Sequence, residues 1–498
     1  MKNSLLMGID IGTSACKVAV FDPDGKVLAS SNQAYKVYYP QSGWVEQDAE
    51  EWWAAIVTGI REVLSCPEIN ASDIACIGVD GQSWSAIPVD REGNTLARSP
   101  IWMDTRARDI CRRVKAELGE DTVFDIAGND FLPPYTAPKM VWFKENFPEL
   151  HKRVYKYMQS NSFVAYKLTG VFSQDKSQMY AIQFYDLHKM EFNRELAEAL
   201  GLSVDLVPEV YDCHAVIGGV TDAAAALTGL RSGTPVVAGG LDAACGTLGA
   251  GVCRIGETQE QGGQAGGMSI CTDRALAHKS LILSPHVVPG TYLLQGGTVG
   301  GGGVLKWFRQ ELARGMSFDE ITAEAENIPA GAEGVVFLPY MAGERSPIWD
   351  PDSKGVYYGL GYNRTRGHMI RATLESSAYS LEHNMRIAEA VGARVDVLNA
   401  MGGASNSVLW TQIKADVTGK TIRVPTSDTA TTLGAAILAG VGCGVYNGFE
   451  EAVDRTVVIT RTQTPDMEKH EIYKKYMELY LELYLDLKDT FKKYGSLS

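Results

Sequence analysis

The first apolar segment of the chain ends in a charged residue, at the point where it meets a glycine turn. Residues 5–10 form an apolar run that closes on Asp10, and a Gly-Thr-Ser turn follows at 12–14. Two further short runs, 17–21 and 26–30, are separated by the turn sequence Asp-Pro-Asp-Gly. Short apolar runs joined by such turns predict a β-meander of three strands.

Helical periodicity begins after this meander. Residues 49–64 carry large apolar side chains at the spacing of one helix face: Trp52, Trp53, Ile56, Ile60 and Val63. The segment DIACIGVDGQSWSAIPVD then predicts a buried strand that ends at Asp80, with another strand beyond it. Mixed strands and helices of this kind predict an α/β layer architecture.

The middle of the chain repeats the opening pattern. An apolar strand is predicted over 235–238, and after two glycines Asp242 heads a helix of small residues. The following segment ETQEQGGQAGGMSICTD places a glycine turn between two short strands, as the first segment does. The repetition indicates a duplicated fold with two half-sites that face one another.

Four further elements are predicted in the second half of the chain. A glycine loop at 300–303 opens a helix at about residue 304, and Gly402-Gly403 separates a strand from a helix. The small-residue segment SDTATTLGAAILAGVGCGVY predicts a helix that packs with its backbone close to a neighbour. The charged helix at 465–494 has an aromatic stripe that fits docking on the protein's own surface, with a partner-binding helix as the alternative. The stripe consists of Tyr473, Tyr476, Tyr480, Tyr484, Leu487 and Phe491.

Composition narrows the class of protein. A length of 498 residues predicts two to four domains. The net charge of −14 argues against non-specific nucleic-acid binding. Nine cysteines without a Cys-x-x-Cys pair indicate reduced thiols in a cytoplasm rather than disulfides or a zinc site. No run reaches the roughly 18 apolar residues of a spanning helix, so we expect a soluble cytoplasmic protein without membrane contact.

The glycine turns are candidate anion sites. Neither a P-loop signature nor the Gly-x-Gly-x-x-Gly of a dinucleotide fold is present. Backbone N–H groups in glycine turns and at helix starts bind anions, although many such turns serve chain geometry alone. Asp10 and Asp242 each end an apolar strand beside a glycine turn, where a charge must be solvated, paired or coordinating. A turn-capping role is the alternative for each, but the matching contexts favour a Mg²⁺ and phosphate site, since Mg²⁺ needs few protein ligands.

The ordered motifs resemble those of the FGGY carbohydrate kinases, most closely the xylulokinase-like branch. The resemblance covers nearly the whole chain and rests on GIDIGTSACKVAVFD, GWVEQDAEEWW, IWMDTRA, GGLDAACGTLGAG, FLPYMAGERSPIWDPDSKGVYYGL and MGGASNSVLWTQIKADVTGK. It implies a two-domain actin-like ATPase fold, each domain with a ribonuclease-H-like core, and ATP and sugar in the cleft between them. The N-terminal domain, 1–251, would hold the sugar and phosphates, and the C-terminal domain, 252–498, the nucleotide. Relatives are often homodimers, so a homodimer is one expected assembly.

The resemblance also implies roles for individual residues. Asp10 would help to hold Mg²⁺, and Asp242 would be the catalytic base, expected at the ordinary carboxyl pKa of about 3.9. An aspartate of that pKa is a poor match for an alcohol proton, but the loose transition state of phosphoryl transfer needs little early proton removal. The implied ATP contacts are Gly12, Thr13, Ser14, Lys17, Gly263, Gln264, Gly302, Lys306, Gly402, Gly403 and Ser407, with Asp428 as a further candidate. The implied sugar contacts are Gln82, Ser83, Trp84, Asp104 and Asp242, with Arg106 beside them.

Two of these sugar contacts have a structural alternative. Trp84 is equally well explained as a core residue between strands, and Asp104 with Arg106 as a surface ion pair.

Three departures from the family pattern concern the substrate. The second phosphate turn has Gln264-Ala265 in place of the usual Thr-Ser, and Ala243 follows the catalytic aspartate where Asn or Gln is common. Residues 82–85 read Gln-Ser-Trp-Ser instead of Gln-Met-His-Gly.

The predicted function is ATP-dependent phosphorylation of a terminal hydroxyl of a ketopentose such as xylulose. The alternatives are a kinase for glycerol, erythritol, ribulose or a deoxy-sugar, and a non-catalytic actin-like or chaperone-type ATP- or sugar-binding protein. Asp242 argues against the last class, since a binding module needs no carboxylate aimed at an acceptor.

Overall fold

Two seven-stranded sheets, one built from each half of the chain, form the framework of the protein. The structure is a computed structural model that describes residues 4–426 and 429–495. Both sheets mix parallel and antiparallel strands and are covered by helices, which confirms the predicted two-domain α/β architecture. The exact division of the chain at 251/252 stays a prediction.

The bounds of the elements follow. The strands of the first half are β1 (Leu5–Ile11), β2 (Ala15–Phe21), β3 (Val27–Ala34), β4 (Glu46–Gln47), β5 (Ile74–Gly81), β6 (Ile87–Val89), β7 (Ser99–Pro100), β8 (Lys156–Met158), β9 (Ser173–Asp175), β10 (Tyr185–Asp186), β11 (Glu191–Phe192), β12 (Glu209–Tyr211), β13 (Val216–Gly219), β14 (Pro235–Val237) and β15 (Gly240–Leu241). The strands of the second half are β16 (Glu257–Gly262), β17 (Gly266–Thr272), β18 (Ile282–Pro285), β19 (Tyr292–Thr298), β20 (Val336–Leu338), β21 (Val356–Tyr358), β22 (Val397–Met401), β23 (Thr421–Pro425) and β24 (Ile459–Gln463).

The helices are distributed over both halves. They are α1 (Ala49–Leu64), α2 (Arg108–Leu118), α3 (Thr122–Ala127), α4 (Thr136–Asn146), α5 (Pro148–His151), α6 (Ser160–Thr169), α7 (Arg194–Ala199), α8 (Asp222–Thr228), α9 (Asp242–Gly249), α10 (Gly302–Leu312), α11 (Phe318–Glu326), α12 (Arg366–Ala390), α13 (Val408–Thr418), α14 (Ala430–Gly442), α15 (Phe449–Thr456) and α16 (Met467–Gly495). Short 3-10 helices lie at Ala71–Asp73, Lys176–Ala181, Val204–Leu206, Ala332–Gly334 and Gly403–Asn406.

The two sheets repeat one topology. In the first, the central order is β14-β5-β1-β2-β3, with β1 parallel to β5 and antiparallel to β2. In the second, the corresponding order is β23-β22-β16-β17-β19, with β16 parallel to β22 and antiparallel to β17. The duplicated fold predicted from the two glycine turns is therefore present.

Helix α1 illustrates how local sequence defines an element of the first domain. The Asp48 side chain accepts a hydrogen bond of 3.0 Å from the Glu50 N–H, which satisfies a free donor at the helix start. Trp52, Ile56 and Ile60 are buried on one face. The observed bounds are those predicted from the apolar periodicity.

Helix α14 belongs to the second half of the sequence but packs on the first sheet. A Cβ atom added to Gly8 of β1 would lie 1.9 Å from the Thr432 carbonyl oxygen. A Cβ atom added to Gly78 of β5 would lie 1.9 Å from the Ala435 carbonyl oxygen. Only glycine permits backbones to approach this closely. The small-residue helix predicted from the sequence therefore has its close neighbour in the other domain.

The C-terminal helix α16 packs on its own domain, as predicted. Tyr473, Tyr480, Tyr484 and Phe491 are buried in a cluster with residues of α12 and α13. Among the described residues, no helix combines the length and the hydropathy needed to cross a membrane.

Candidate active site

Three parallel strands of the first sheet end side by side, and each end carries a carboxylate. The register pairs Asp10 of β1 with Asp80 of β5, and Asp80 with Gly240 of β15. Asp242 follows β15 after one more residue and starts α9. Because the carboxyl ends of parallel strands meet at one sheet edge, side chains distant in sequence converge there.

Asp10 is buried and linked to the other half of the chain. The Thr431 hydroxyl donates a hydrogen bond of 2.9 Å to its Oδ2 atom. Removal from water raises the pKa of Asp10, while this bond and the charge of Lys17 act in the opposite direction. Lys17 pairs with Asp10 across β1 and β2 and is itself exposed, so it is placed beside any ligand at this edge.

Asp80 was not among the predicted site residues. Its side chain is fully buried, and burial together with the charges of Asp10 and Asp242 raises its pKa well above the ordinary carboxyl range. The signal available in the sequence was similar to that for Asp10: a carboxylate at the end of an apolar strand, one residue before a glycine at Asp80 and two residues before one at Asp10.

Asp242 is held at the start of α9 by its neighbours. The N–H of Leu241 donates a 2.8 Å hydrogen bond to the Ser177 hydroxyl, and the N–H of Ala243 donates one of 2.6 Å to Asp242 Oδ1. Burial and the charge of Asp10 raise the pKa of Asp242 to about 7. The expectation of an ordinary pKa was therefore wrong, because it ignored the burial and the neighbouring negative charge.

The first glycine turn is anchored through its carbonyl and hydroxyl groups. Gln47 donates a 2.8 Å hydrogen bond to the Thr13 carbonyl, and the indole of Trp102 donates one of 3.0 Å to the Thr13 hydroxyl. The Gly12 carbonyl accepts a hydrogen bond from Tyr35, and Ser14 is exposed. Trp102 was missed as a site residue, although it lies in the IWMDTRA motif quoted above.

Gln82, Ser83 and Trp84 follow β5 and line the same edge. The Gln82 amide donates a hydrogen bond of 2.6 Å to the Gln47 side-chain oxygen. The Tyr180 hydroxyl donates one of 3.3 Å to the Ser83 hydroxyl. Trp84 has a left-handed φ of +63°, which is strained for a bulky side chain and is common at binding sites.

The Trp84 ring belongs to a cluster of aromatic side chains. It lies 4.4 Å from the ring centre of Tyr135, and its buried indole N–H is near the Tyr180 hydroxyl but makes no hydrogen bond of good geometry to a described residue. Trp84 is thus partly a packing residue and also presents an unused donor.

Asp104 has a different environment from the other predicted sugar contacts. Its fully buried carboxylate accepts hydrogen bonds from the Arg106 guanidinium, at 2.8 to 3.0 Å, and from the Val45 N–H at 2.7 Å. The guanidinium also stacks on Trp44 at 3.9 Å. The pair is therefore a buried ion pair rather than a surface one, and its saturation favours a structural role over sugar contact.

The second glycine turn packs on the start of α10. The N–H groups of Gly302 and Gly303 donate to the carbonyls of Gly263 and Gln264, at 2.7 and 2.9 Å. A Cβ atom on Gly302 would lie 2.7 Å from the Gly263 oxygen, so the approach requires glycine. Lys306 lies on the exposed face of α10.

The third turn joins β22 to α13. Gly402 has a φ of +81°, and a Cβ atom on it would lie 2.9 Å from the Gly262 backbone. A Cβ atom on Gly403 would meet nothing within 4 Å, so its backbone is open to a ligand. Ser407 accepts a hydrogen bond of 3.2 Å from the Trp410 N–H at the start of α13. The candidate Asp428 lies outside the described residues.

The donor set fits a magnesium ion bound together with phosphates. Within residues 4–426 and 429–495, no three or more His, Cys, Asp or Glu side chains form a metal-binding group. Mg²⁺ is usually held by one or two carboxylates together with water and substrate phosphates. The carboxylates at the sheet edge, Asp10 among them, are groups of that kind.

Comparison with known proteins identifies the family. The model of the FGGY carbohydrate kinases matches the chain in two parts, the N-terminal domain over residues 5–249 and the C-terminal domain over 271–443. A xylulose kinase of Staphylococcus epidermidis is 31% identical over 488 residues, which cover 96% of each chain. A gluconokinase of Bacillus licheniformis is 27% identical over 98% of this chain and 97% of its own.

A solved structure agrees with the fold. The crystal structure of a xylulose kinase from Rhodospirillum rubrum matches with a TM-score of 0.91 and 28% sequence identity, over 98% of this chain and all of that chain. The likeness extends over both sheets and therefore supports the two-domain description.

Proposed function

Because the chain belongs to the FGGY family of carbohydrate kinases, a family that uses ATP as phosphate donor, we propose that it phosphorylates a terminal hydroxyl of a ketopentose such as xylulose. The observation that carries the proposal is the position of Asp242. It starts a helix at the edge where Asp10 and Asp80 also end their strands, and its charge acts on Tyr180 of the aromatic cluster around Trp84. A binding protein without catalysis has no use for a carboxylate in that place.

Asp242 would orient the sugar hydroxyl and receive its proton. As the oxygen–phosphorus bond to the γ-phosphoryl group forms and the bond to the ADP oxygen breaks, the hydroxyl proton passes to the carboxylate. A pKa of about 7 makes Asp242 a better proton acceptor than an ordinary aspartate while leaving it largely ionised at slightly alkaline pH. Correct positioning would supply most of the acceleration.

The two halves of the chain would share the nucleotide. The first half offers carboxylates and the Gly12-Thr13-Ser14 turn, and the second offers the open backbone at Gly403. Mg²⁺, when bound through Asp10, would neutralise charge on the phosphates. Lys17 would add a positive charge at the same edge.

The pocket chemistry favours a neutral sugar over an acidic one. Gln82, Ser83, Trp84 and Tyr180 are neutral. Two buried cations lie nearby. Arg106 is paired with Asp104 and Glu46, and the ammonium group of Lys139 donates to the carbonyls of Trp84, Ile101 and Pro134, at 2.8, 2.7 and 2.5 Å. Burial lowers the pKa of Lys139 to about 7. Its three N–H groups are already taken by these carbonyls, so no donor is left for a substrate carboxylate. This supports a ketose rather than gluconate, despite the similarity to a gluconokinase.

The test is a coupled ADP-release screen of the purified protein against ketoses, aldoses, polyols and gluconate. We expect the highest kcat/KM with a ketopentose and the lowest with gluconate. A preference for gluconate, or for glycerol over every ketose, would contradict the proposed substrate. The natural chain without sugar measures the background of ATP hydrolysis.

The cellular compartment and the oligomeric state of the enzyme are also part of the proposal. All nine cysteines are free in the structure, which supports a reducing compartment and hence the cytoplasm. A homodimer stays a prediction, to be checked by light scattering.

A further inference from the structure

Asp80 differs from the other buried acids of the protein in its hydrogen bonding. Among the described residues, it is the buried carboxylate for which neither oxygen finds a donor group, and the side-chain contact that it does make is with the Asp10 carboxyl. The side chain is fully buried at the end of β5 and aimed into the edge where Asp10 lies. An unpartnered buried carboxylate is costly in free energy, so its retention needs an explanation.

Other buried acids of the described residues accept at least one hydrogen bond from a neighbour, although one oxygen each of Glu260, Glu344 and Glu375 has none. Asp175, also fully buried, accepts hydrogen bonds from Asn161, from the Ser177 hydroxyl and from the Gln178 N–H. Asp104 is saturated by Arg106 and Val45. The fold thus provides donors where a buried acid has a structural role, and it provides none for Asp80.

The charges around Asp80 point to a missing cation. The neighbouring Asp10 carboxyl is in direct contact with that of Asp80, and the negative charge of Asp242 also acts on it. The charge of Lys17 opposes them, but the Lys17 side chain is exposed. Two carboxyl groups in contact need a shared proton or a shared cation.

We propose that Asp80 is a second protein ligand, beside Asp10, of the magnesium ion that accompanies ATP. The proposal rests on the metal-dependent phosphoryl transfer of the proposed function and adds a residue to it. Two carboxylates from adjacent parallel strands, with phosphate oxygens and water completing the shell, match the oxygen ligands that Mg²⁺ prefers. Asp80 would then make the metal site of this chain more negative than Asp10 alone would.

The test measures metal binding without turnover. Mn²⁺ replaces Mg²⁺, and electron paramagnetic resonance counts free Mn²⁺ in the presence of a non-hydrolysable ATP analogue and no sugar. We expect Asp80→Asn to weaken Mn²⁺ binding by about tenfold or more, while binding of the analogue in EDTA is unchanged. Asp212→Asn is the matched control, because Asp212 belongs to an exposed ion pair with Lys176. Equal Mn²⁺ affinity in Asp80→Asn and the natural chain would overturn the proposal.

Thermal unfolding gives a second readout. Without metal, Asp80→Asn should melt at a higher temperature than the natural chain, because it removes one of three neighbouring acids. Saturating Mg²⁺ with the analogue should raise the melting temperature of the natural chain more than that of the variant. An equal metal-dependent rise in both would count against the proposal. If Asp80→Asn does not fold, Asp80→Ser serves for both measurements.

The outcomes separate the two claims. Mn²⁺ binding that depends on Asp80, in a protein that phosphorylates no ketose, would leave the metal site standing and remove the proposed substrate. Ketose phosphorylation with Mn²⁺ binding that is independent of Asp80 would support the proposed substrate and overturn Asp80 as a metal ligand.

Discussion

Thr431 donates a hydrogen bond of 2.9 Å to the carboxylate of Asp10, which lies 421 positions earlier in the chain. Thr431 is in the first turn of α14, the helix that packs against β1 and β5. The carboxylate edge of the first sheet is therefore completed by a segment from the other half of the sequence. A change in the position of α14 would be transmitted directly to Asp10.

Thr431→Val should impair catalysis while preserving the fold. The valine keeps the shape of the side chain but removes the donor to a buried carboxylate, which costs about 1.5–3 kcal/mol. We expect kcat/KM for ATP to fall by about tenfold or more, measured by coupled ADP release. The control is Thr456→Val, whose hydroxyl donates only to the Ala452 carbonyl of its own helix. Unchanged kcat/KM in Thr431→Val would mean that this bond is not needed to hold Asp10.

Gly8→Ala should destabilise the protein through the contact of β1 with α14. The added Cβ atom would lie 1.9 Å from the Thr432 carbonyl oxygen, so the two backbones would have to separate. Overpacking of this kind costs about 1–3 kcal/mol or more. Urea unfolding checks the loss, with Gly448→Ala as control, because a Cβ atom there would meet nothing within 4 Å. An equal midpoint for both variants would contradict the close packing.

The sequence predicted the elements of the site better than their contacts. The meander around Asp10, the helix from Asp242 and the packing of a small-residue helix follow from local apolar patterns and glycine content. The pairing of Thr431 with Asp10 depends on the path of a distant segment, which local patterns do not contain.

The surroundings of Asp80 and Asp242 could not be predicted from local patterns either, because their neighbours come from other strands. Asp80 ends its strand as Asp10 does, but only the parallel register of β1 with β5 brings the two carboxyls together. The raised pKa of Asp242 likewise follows from burial and from a charge on another strand.

Asp242→Ala should abolish sugar phosphorylation and leave ATP binding nearly intact. The variant loses the group that positions the hydroxyl and accepts its proton, and general base catalysis contributes about 100- to 10,000-fold. Coupled ADP release measures turnover, and calorimetry measures ATP affinity. Asp222→Ala is the matched control, since Asp222 also starts a helix of the first half. Full turnover in Asp242→Ala would remove this residue from the mechanism.

The pH dependence of the reaction should report Asp242. Its pKa is raised to about 7, and only the ionised form accepts a proton, so activity is lost as the pH falls through that value. We expect kcat/KM for the sugar to rise with pH along a limb with its midpoint near the pKa of about 7. A profile that is flat between about pH 5 and 8 would show that no group of this kind limits the reaction.

Trp84→Phe separates the two roles of Trp84. The phenylalanine keeps an aromatic ring against Tyr135 but removes the buried indole N–H that has no partner among the described residues. If that N–H donates to a sugar hydroxyl, the sugar KM should rise about fivefold, equivalent to about 1 kcal/mol. Kinetics with the best ketose from the screen measures the change, and the KM for ATP should stay constant.

Trp52→Phe is the matched control for this prediction. Trp52 also has a buried indole N–H without a partner among the described residues, but it lies in α1 and packs in the core beneath the first sheet, against Tyr35. Its replacement should leave the sugar KM unchanged, because the lost donor faces no substrate. A KM that shifts equally in both variants would show that the effect of Trp84→Phe arises from packing, and Trp84 would then be a residue of the core.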